Sequence, residues 1–297
     1  MSQDDDQEAR VPAWAERARR EAFSRSAPPR AAPTSGLHRW LDEPWQDLAN
    51  NLPGAGLLAT AAAQRHVGES DLSWRVGADG EDILANALAE LTHPRRITRW
   101  LRSSANDAPW LVLHGAKIGA SARADLDHVL IGPPGVVVIN TKKLDPRYRV
   151  TIDDGEIHTG RFSTDFVAKA SRDAERAWWL LASAAQAVVS RRARGDLPPD
   201  WDLSPYWAAV ESIAAQASST HSSSSAANRW PPTIPALAFV GSGSVEERLP
   251  SPVVARASTI CATLRQHRAA LDRCHVLALY EIARRSTTWT RDTPPKP

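Results

Sequence analysis

Four polar residues bracket two apolar segments: Asp125 and Asp127 open one, and Asn140 and Lys142 close the other. Between them run Val129-Leu-Ile131, the turn sequence Gly132-Pro-Pro-Gly135, and Val136-Val-Val-Ile139. Short apolar runs flanking such a turn predict adjacent strands buried on both faces. Side chains alternate along a strand, so Asn140 and Lys142 share one face, as Asp125 and Asp127 do on the preceding strand. Acids, an amide and a lysine at neighbouring strand ends suit phosphodiester hydrolysis. That reaction needs a positioned water, charge neutralisation and help for the leaving oxygen. Mg²⁺ or Mn²⁺ held by carboxylates supplies much of this. A lysine beside the metal orients the water or stabilises the developing negative charge. Asn140 offers a carbonyl oxygen without charge.

The lysine is notable in this chain. Of 36 basic residues only five are lysines: Lys117, Lys142, Lys143, Lys169 and Lys296. A sequence that uses Arg for its surface and Lys at a core strand end suggests chemistry specific to the amine, whose pKa shifts more readily than that of a guanidinium. Net charge is only +2, so bulk charge does not announce a nucleic-acid binder. Two cysteines, Cys261 and Cys274, make neither a disulfide framework nor a zinc knuckle. No secretory signal or membrane span is visible, and a cytoplasmic protein is expected.

The elements that must position these residues follow from pattern. Residues 1–70 read as a largely disordered tail, with a short helix possible over Pro12–Phe23. Regular structure is expected from about Trp74. Gly77-Ala-Asp-Gly80 reads as a turn before an amphipathic helix over Glu81–Leu91, which places Glu81 in a first turn favoured by the helix dipole. Strands are expected at Trp110–His114, Leu126–Ile131, Val136–Thr141, Tyr148–Ile152, Glu156–Thr159 and Pro235–Gly241. Asp165–Val189 reads as a long helix, and Ala217–Asn228 as a flexible Ser-rich loop. Helical pattern recurs over Pro252–Leu264 and His267–Ala283, interrupted around Arg268–Asp272. The fold class is α/β, a mixed central sheet flanked by helices. Its divisions are a tail (1–70), a core (71–190), a linker or loop (191–230) and a C-terminal strand with helices packed on the core (231–290).

Gly77-x-x-Gly80-Glu81, Asp127-His128-Val-Leu-Ile-Gly-Pro and Gly135-Val-Val-Val-Ile-Asn-Thr-Lys142, in that order, resemble the nuclease-related domain (NERD) family. That family is placed with the PD-(D/E)xK nuclease superfamily. The similarity runs from about Trp74 through Gln186, and Glu281–Trp289 looks like a C-terminal extension of some bacterial members. The resemblance implies a restriction-endonuclease-like core with a C-terminal α/β extension. It also implies metal-binding roles for Glu81 and Asp127 and a catalytic role for Lys142. Asn140 falls where the pattern has Glu, Gln or another residue, and weaker divalent-ion binding is expected there.

The remaining polar residues have plain alternatives. His128 should point to the opposite strand face, as a core histidine or a support behind the metal ligands. Asp125 suits a solvated strand start. Lys143, Arg147, Lys169 and Arg172 can meet nucleic-acid phosphates in salt-dependent, sequence-independent fashion, or serve as solvated charges. Trp178-Trp179 suits core packing. Arg95, Arg96, Arg99 and Arg102 suit a basic patch or a charged loop. The functional expectation is a metal-dependent nuclease acting on DNA. The alternative is a catalytically weak or inactive nucleic-acid-binding module, for which Asn140 is the main support.

Overall fold

Val129, Leu130, Ile131 and Val136 through Ile139 are all fully buried, as expected of strands covered on both faces. In the computed structural model they form an antiparallel pair at the centre of a five-stranded sheet. The structure describes residues 38–93, 108–119, 124–153, 156–159, 162–220, 230–248 and 251–291. The Pro12–Phe23 helix, the Arg95–Arg102 cluster, and residues 221–228 of the expected loop lie outside these residues.

Strands β1 (Leu111–Ile118), β2 (Ala124–Gly132), β3 (Gly135–Lys143), β7 (Thr233–Val240) and β9 (Val253–Arg256) stand in the order β1-β2-β3-β7-β9. The β1–β2 and β2–β3 pairs are antiparallel, while β3–β7 and β7–β9 are parallel. A second mixed sheet has the order β6-β5-β4-β8: Phe162–Thr164, Glu156–Thr159, Arg149–Asp153 and Ser244–Val245. The protein is thus an α/β fold with mixed sheets flanked by helices. The C-terminal segment enters the central sheet itself through β7 and β9.

Helices cover both faces. Helix α2 (Leu72–Thr92) lays Leu84, Leu88 and Leu91 against Val137, Ile139 and Ala238. On the other face, α3 (Phe166–Ala193) brings Ala174, Ala177, Leu181, Ala184 and Val188 against Val136, Val138 and Ile131. Its alanines allow a close approach to the sheet. Helix α4 (Trp207–Thr220) packs beside α3, and α6 (Arg273–Ala283) beside α4. Trp178 is core, against Ala182 and Ala217, with Nε1 donating to the Trp230 carbonyl at 3.1 Å.

Four expectations are corrected. Residues 38–70 are not tail: 3₁₀ turns at Arg39–Asp42 and Leu48–Asn50 precede helix α1 (Ala55–His66). Long-range polar bonds fasten this stretch. Leu48 N–H donates to the Arg284 carbonyl at 2.7 Å, Trp201 Nε1 donates to the Leu41 carbonyl at 3.1 Å, and Arg191 pairs with Asp42 at 2.6 Å. Second, Gly77–Gly80 is no turn; α2 runs through it, so Glu81 is mid-helix and buried. A Cβ at Gly80 would lie 3.0 Å from Lys143 Cβ, so packing against β3 favours glycine there despite its helix cost. Third, Pro252–Leu264 divides into strand β9 and the short helix α5 (Ile260–Leu264). Fourth, Ala217–Thr220 continues α4.

Candidate active site

The β2–β3 ladder ends at His128 opposite Ile139. Beyond that pair the strands part, and the polar residues meet in the gap. Thr141 N–H, with no β2 carbonyl to pair with, donates to Asp127 Oδ2 at 2.7 Å. The aspartate thus completes the ladder and is fixed by it. Thr141, Asp127 and Lys142 line a cleft of about 290 Å³. Glu81 enters it from α2, whose Ser73, Trp74 and Gly77 form one wall, and Leu57 of α1 closes the side.

Glu81 is held from an unexpected quarter. Its Oε2 accepts the Gly54 N–H at 2.9 Å, from the residue that caps the N-terminus of α1. Gly54 has φ 70°, and a Cβ there would lie 2.9 Å from Ala78 Cα. Both the backbone conformation and the contact call for glycine. The segment that composition assigned to a tail therefore builds part of the cleft.

The electrostatics are those of crowded acids. Burial, then the neighbouring Asp127, raise the Glu81 carboxyl to about 8, against the pull of the Gly54 bond. Burial likewise raises Asp127, opposed by Lys142 and the Thr141 N–H. Asp125, opposite Lys117 in the β1–β2 register, adds negative charge to both. Burial lowers the Lys142 ammonium below the usual lysine range, while Asp127 draws it back up. Its Nζ donates to the Thr141 carbonyl at 3.1 Å and lies 5.3 Å from the Phe166 ring centre. Two buried carboxyls beside one partly desolvated ammonium lack positive charge, a deficit that a divalent cation would fill.

Asn140 does not face that deficit. It is 3% exposed, and its Nδ2 donates to Asp173 Oδ2 at 3.0 Å. Its Oδ1 accepts from Lys169 Nζ at 3.2 Å and from Lys142 Nζ at 3.4 Å. Flipping the amide would turn its N–H groups onto two ammoniums, so the neighbours fix its orientation. An oxygen already shared by two cations is a poor metal donor, and Asn140 does not fit the metal-ligand role expected of it. Glu81 and Asp127 do fit. Among the described residues no group of three or more His, Cys, Asp or Glu is gathered for a metal. Two carboxylates suit Mg²⁺, which commonly keeps several waters and substrate phosphate oxygens.

The other expected residues scatter. Lys169 reaches the site, though as a partner of Asn140. Lys143 lies just outside it, 3.3 Å from Asp79. Arg147 is clasped by Asp145, both nitrogen contacts at 2.9 Å, and Arg172 lies 3.3 Å from Asp165. His128 is fully buried, with Nδ1 2.7 Å from His114 Nδ1 and its Nε2 without a partner. Burial drives the pair's pKa down, that of His114 to about 4. It is a core histidine on the far side of the strand. Sequence reading missed Gly54, Leu57, Trp74 and Asp173. Pro53-Gly-Ala-Gly56 before an Ala-Leu run was an available helix-start signal.

Residues 77–185 match the family model described as the nuclease-related domain, NERD, a span that takes in Glu81, Asp127, Asn140, Lys142, Lys169 and Asp173. No curated protein and no solved structure matches the chain.

Proposed function

From a chain that carries a nuclease-related domain over residues 77–185, we propose a divalent-cation-dependent phosphodiesterase that hydrolyses DNA in the cleft that α1 and α2 form with the ends of β2 and β3. The observation that carries this reading is the meeting of Glu81, Asp127 and Lys142 in one cleft, with both acids raised by burial, Glu81 further by Asp127 and Asp127 further by Asp125. Groups perturbed by burial and by named charge partners, converging in a cleft, are the physical signature of a functional-site candidate.

Glu81 and Asp127 would hold Mg²⁺ or Mn²⁺. When bound, that ion would offset phosphate charge and acidify a bound water. The Thr141 N–H and the Gly54 N–H fix the two carboxylates before substrate arrives. Such preorganisation avoids reorganisation during reaction. Lys142, oriented by the Thr141 carbonyl, faces the charge that builds as water oxygen bonds to phosphorus and the ester oxygen departs. Its lowered pKa also makes it a readier proton donor to that oxygen. Trp74 in the cleft wall is 39% exposed and offers a flat surface to a substrate in the cleft.

With Asn140 at the strand end only two carboxyls, Glu81 and Asp127, line the cleft, and this supports a second reading, a nucleic-acid-binding module of weak or no activity. Purified protein with supercoiled and linear DNA, in Mg²⁺ or Mn²⁺, separates the two. The expected result is slow cleavage, lost in both Lys142→Ala and Asp127→Ala. Cleavage that survives both changes would overturn the site. Binding without cleavage in either metal would favour the second reading.

A further inference from the structure

We propose that Lys142 and Lys169, bridged by Asn140, form a seat for a nucleic-acid phosphate, with Asn140 the positioning residue and Asp173 its anchor. This rests on the phosphodiesterase reading and adds the group that receives the substrate anion.

The seat is assembled from two elements. Lys169 and Asp173 stand four residues apart on α3 and so share one helix face. Ala170 and Ala174 lie next to them and are buried, which keeps that face close to the sheet. From β3, Asn140 extends its amide between them. Asp173 Oδ2 accepts from Asn140 Nδ2 at 3.0 Å and from Lys169 Nζ at 3.1 Å. Asn140 Oδ1 then accepts from both ammoniums. Every hydrogen bond of this amide serves to hold a lysine or the carboxylate behind it.

An ordinary helix-surface ion pair accounts for less. A pair between Lys169 and Asp173 has no need of a buried asparagine, and exposed pairs of that spacing contribute little. Here an amide that is 3% exposed has two cations on one oxygen. Two ammoniums so close repel each other, and a single carboxylate, Asp173, serves them from the α3 side. The Lys169 side chain is 48% exposed, so it remains open to a ligand. Phosphate oxygens, with several acceptor sites, suit two converging ammoniums. A carboxylate in place of Asn140 would neutralise the pair, so the uncharged amide suits an anion seat where it would weaken a cation site.

Binding of a short fluorescein-labelled oligonucleotide in EDTA, followed by anisotropy over a salt series, tests the seat without metal or turnover. Lys169→Met should weaken binding about tenfold at low salt. It should also flatten the slope of log K against log salt by about 0.7 to 0.9, one phosphate contact. Lys169→Arg should keep that slope. Asn140→Asp should weaken binding as well, by tying up both ammoniums. Wild-type affinity and slope in Lys169→Met, or unaltered binding in Asn140→Asp, would overturn the seat. Circular dichroism melts of each variant exclude unfolding as the cause. If Asp127→Ala abolishes cleavage while Lys169→Met binds like wild type, the seat fails and the hydrolysis reading stands. If Lys169→Met flattens the slope although the wild type cleaves nothing, the seat stands and hydrolysis fails.

Discussion

Lys142 has two unlike sets of neighbours. On one side stand Glu81 and Asp127, each given one backbone N–H and both raised by burial. On the other stands Asn140, a neutral group whose amide is occupied by two ammoniums and a carboxylate. The first side gathers carboxyls, and the second gathers two ammoniums, Lys142 and Lys169, on one amide oxygen. On the proposed reading the first takes the cation and the second the phosphate. A missing carboxylate then need not be a damaged metal site. Position in a motif suggests a role, and the neighbours of the side chain decide it.

Asp127→Asn and Lys142→Ala should each lower the rate of cleavage by about a hundredfold or more, measured at saturating Mn²⁺. A loss confined to one of them would split a site described as a unit.

The acid side should also reveal itself in metal-free stability. Glu81 has a folded pKa of about 8 against 4.5 for a free glutamate. Its raised value means that the folded state keeps its proton while the unfolded chain has lost it. The contribution is therefore complete below about pH 4.5 and lost as pH rises through about 8. In EDTA the protein should lose on the order of a few kcal/mol across that window. Denaturant melts of Glu81→Gln should remove most of that slope. An equally steep slope in the variant would assign the effect elsewhere.

Gly54→Ala tests whether the α1 cap holds Glu81. A left-handed residue pressed on Ala78 should cost about 1 to 3 kcal/mol, read by thermal melts, with weakened Mn²⁺ binding. Unchanged stability and binding would show that the cap is incidental. The smallest expected effect is at Asn140→Glu, where Mn²⁺ affinity should not rise, because that side chain faces ammoniums. A clear gain would return position 140 to the metal.

Much of this was legible in the sequence, for local reasons. The strands carrying Asp127 and Lys142 announce themselves as uninterrupted apolar runs around a Pro-Pro-Gly turn, and the helix of Glu81 through its leucine spacing. Where reading failed, distant contacts outweighed local preference. Gly77 and Gly80 look like a turn until β3 packs against Gly80 and the helix continues. Residues 38–66 look like a tail because they follow a long polar, Pro- and Ser-rich stretch and their apolar pieces are broken by Pro, Gly and Asn. Their order depends on Arg284, Trp201 and Arg191, which lie 140 residues or more away in sequence. Asp173 was hidden for the opposite reason. Four residues after Lys169, it reads as half of a common surface pair, and only the fold brings Asn140 between them.

On the proposed reading a divalent cation belongs to Glu81 and Asp127 and not to Asn140. Calorimetric titration with Mn²⁺ should then show one site in the wild type, weakened about tenfold or more in Glu81→Gln and Asp127→Asn, and kept in Asn140→Ala. Loss of the site in Asn140→Ala, with binding intact in Glu81→Gln and Asp127→Asn, would contradict it.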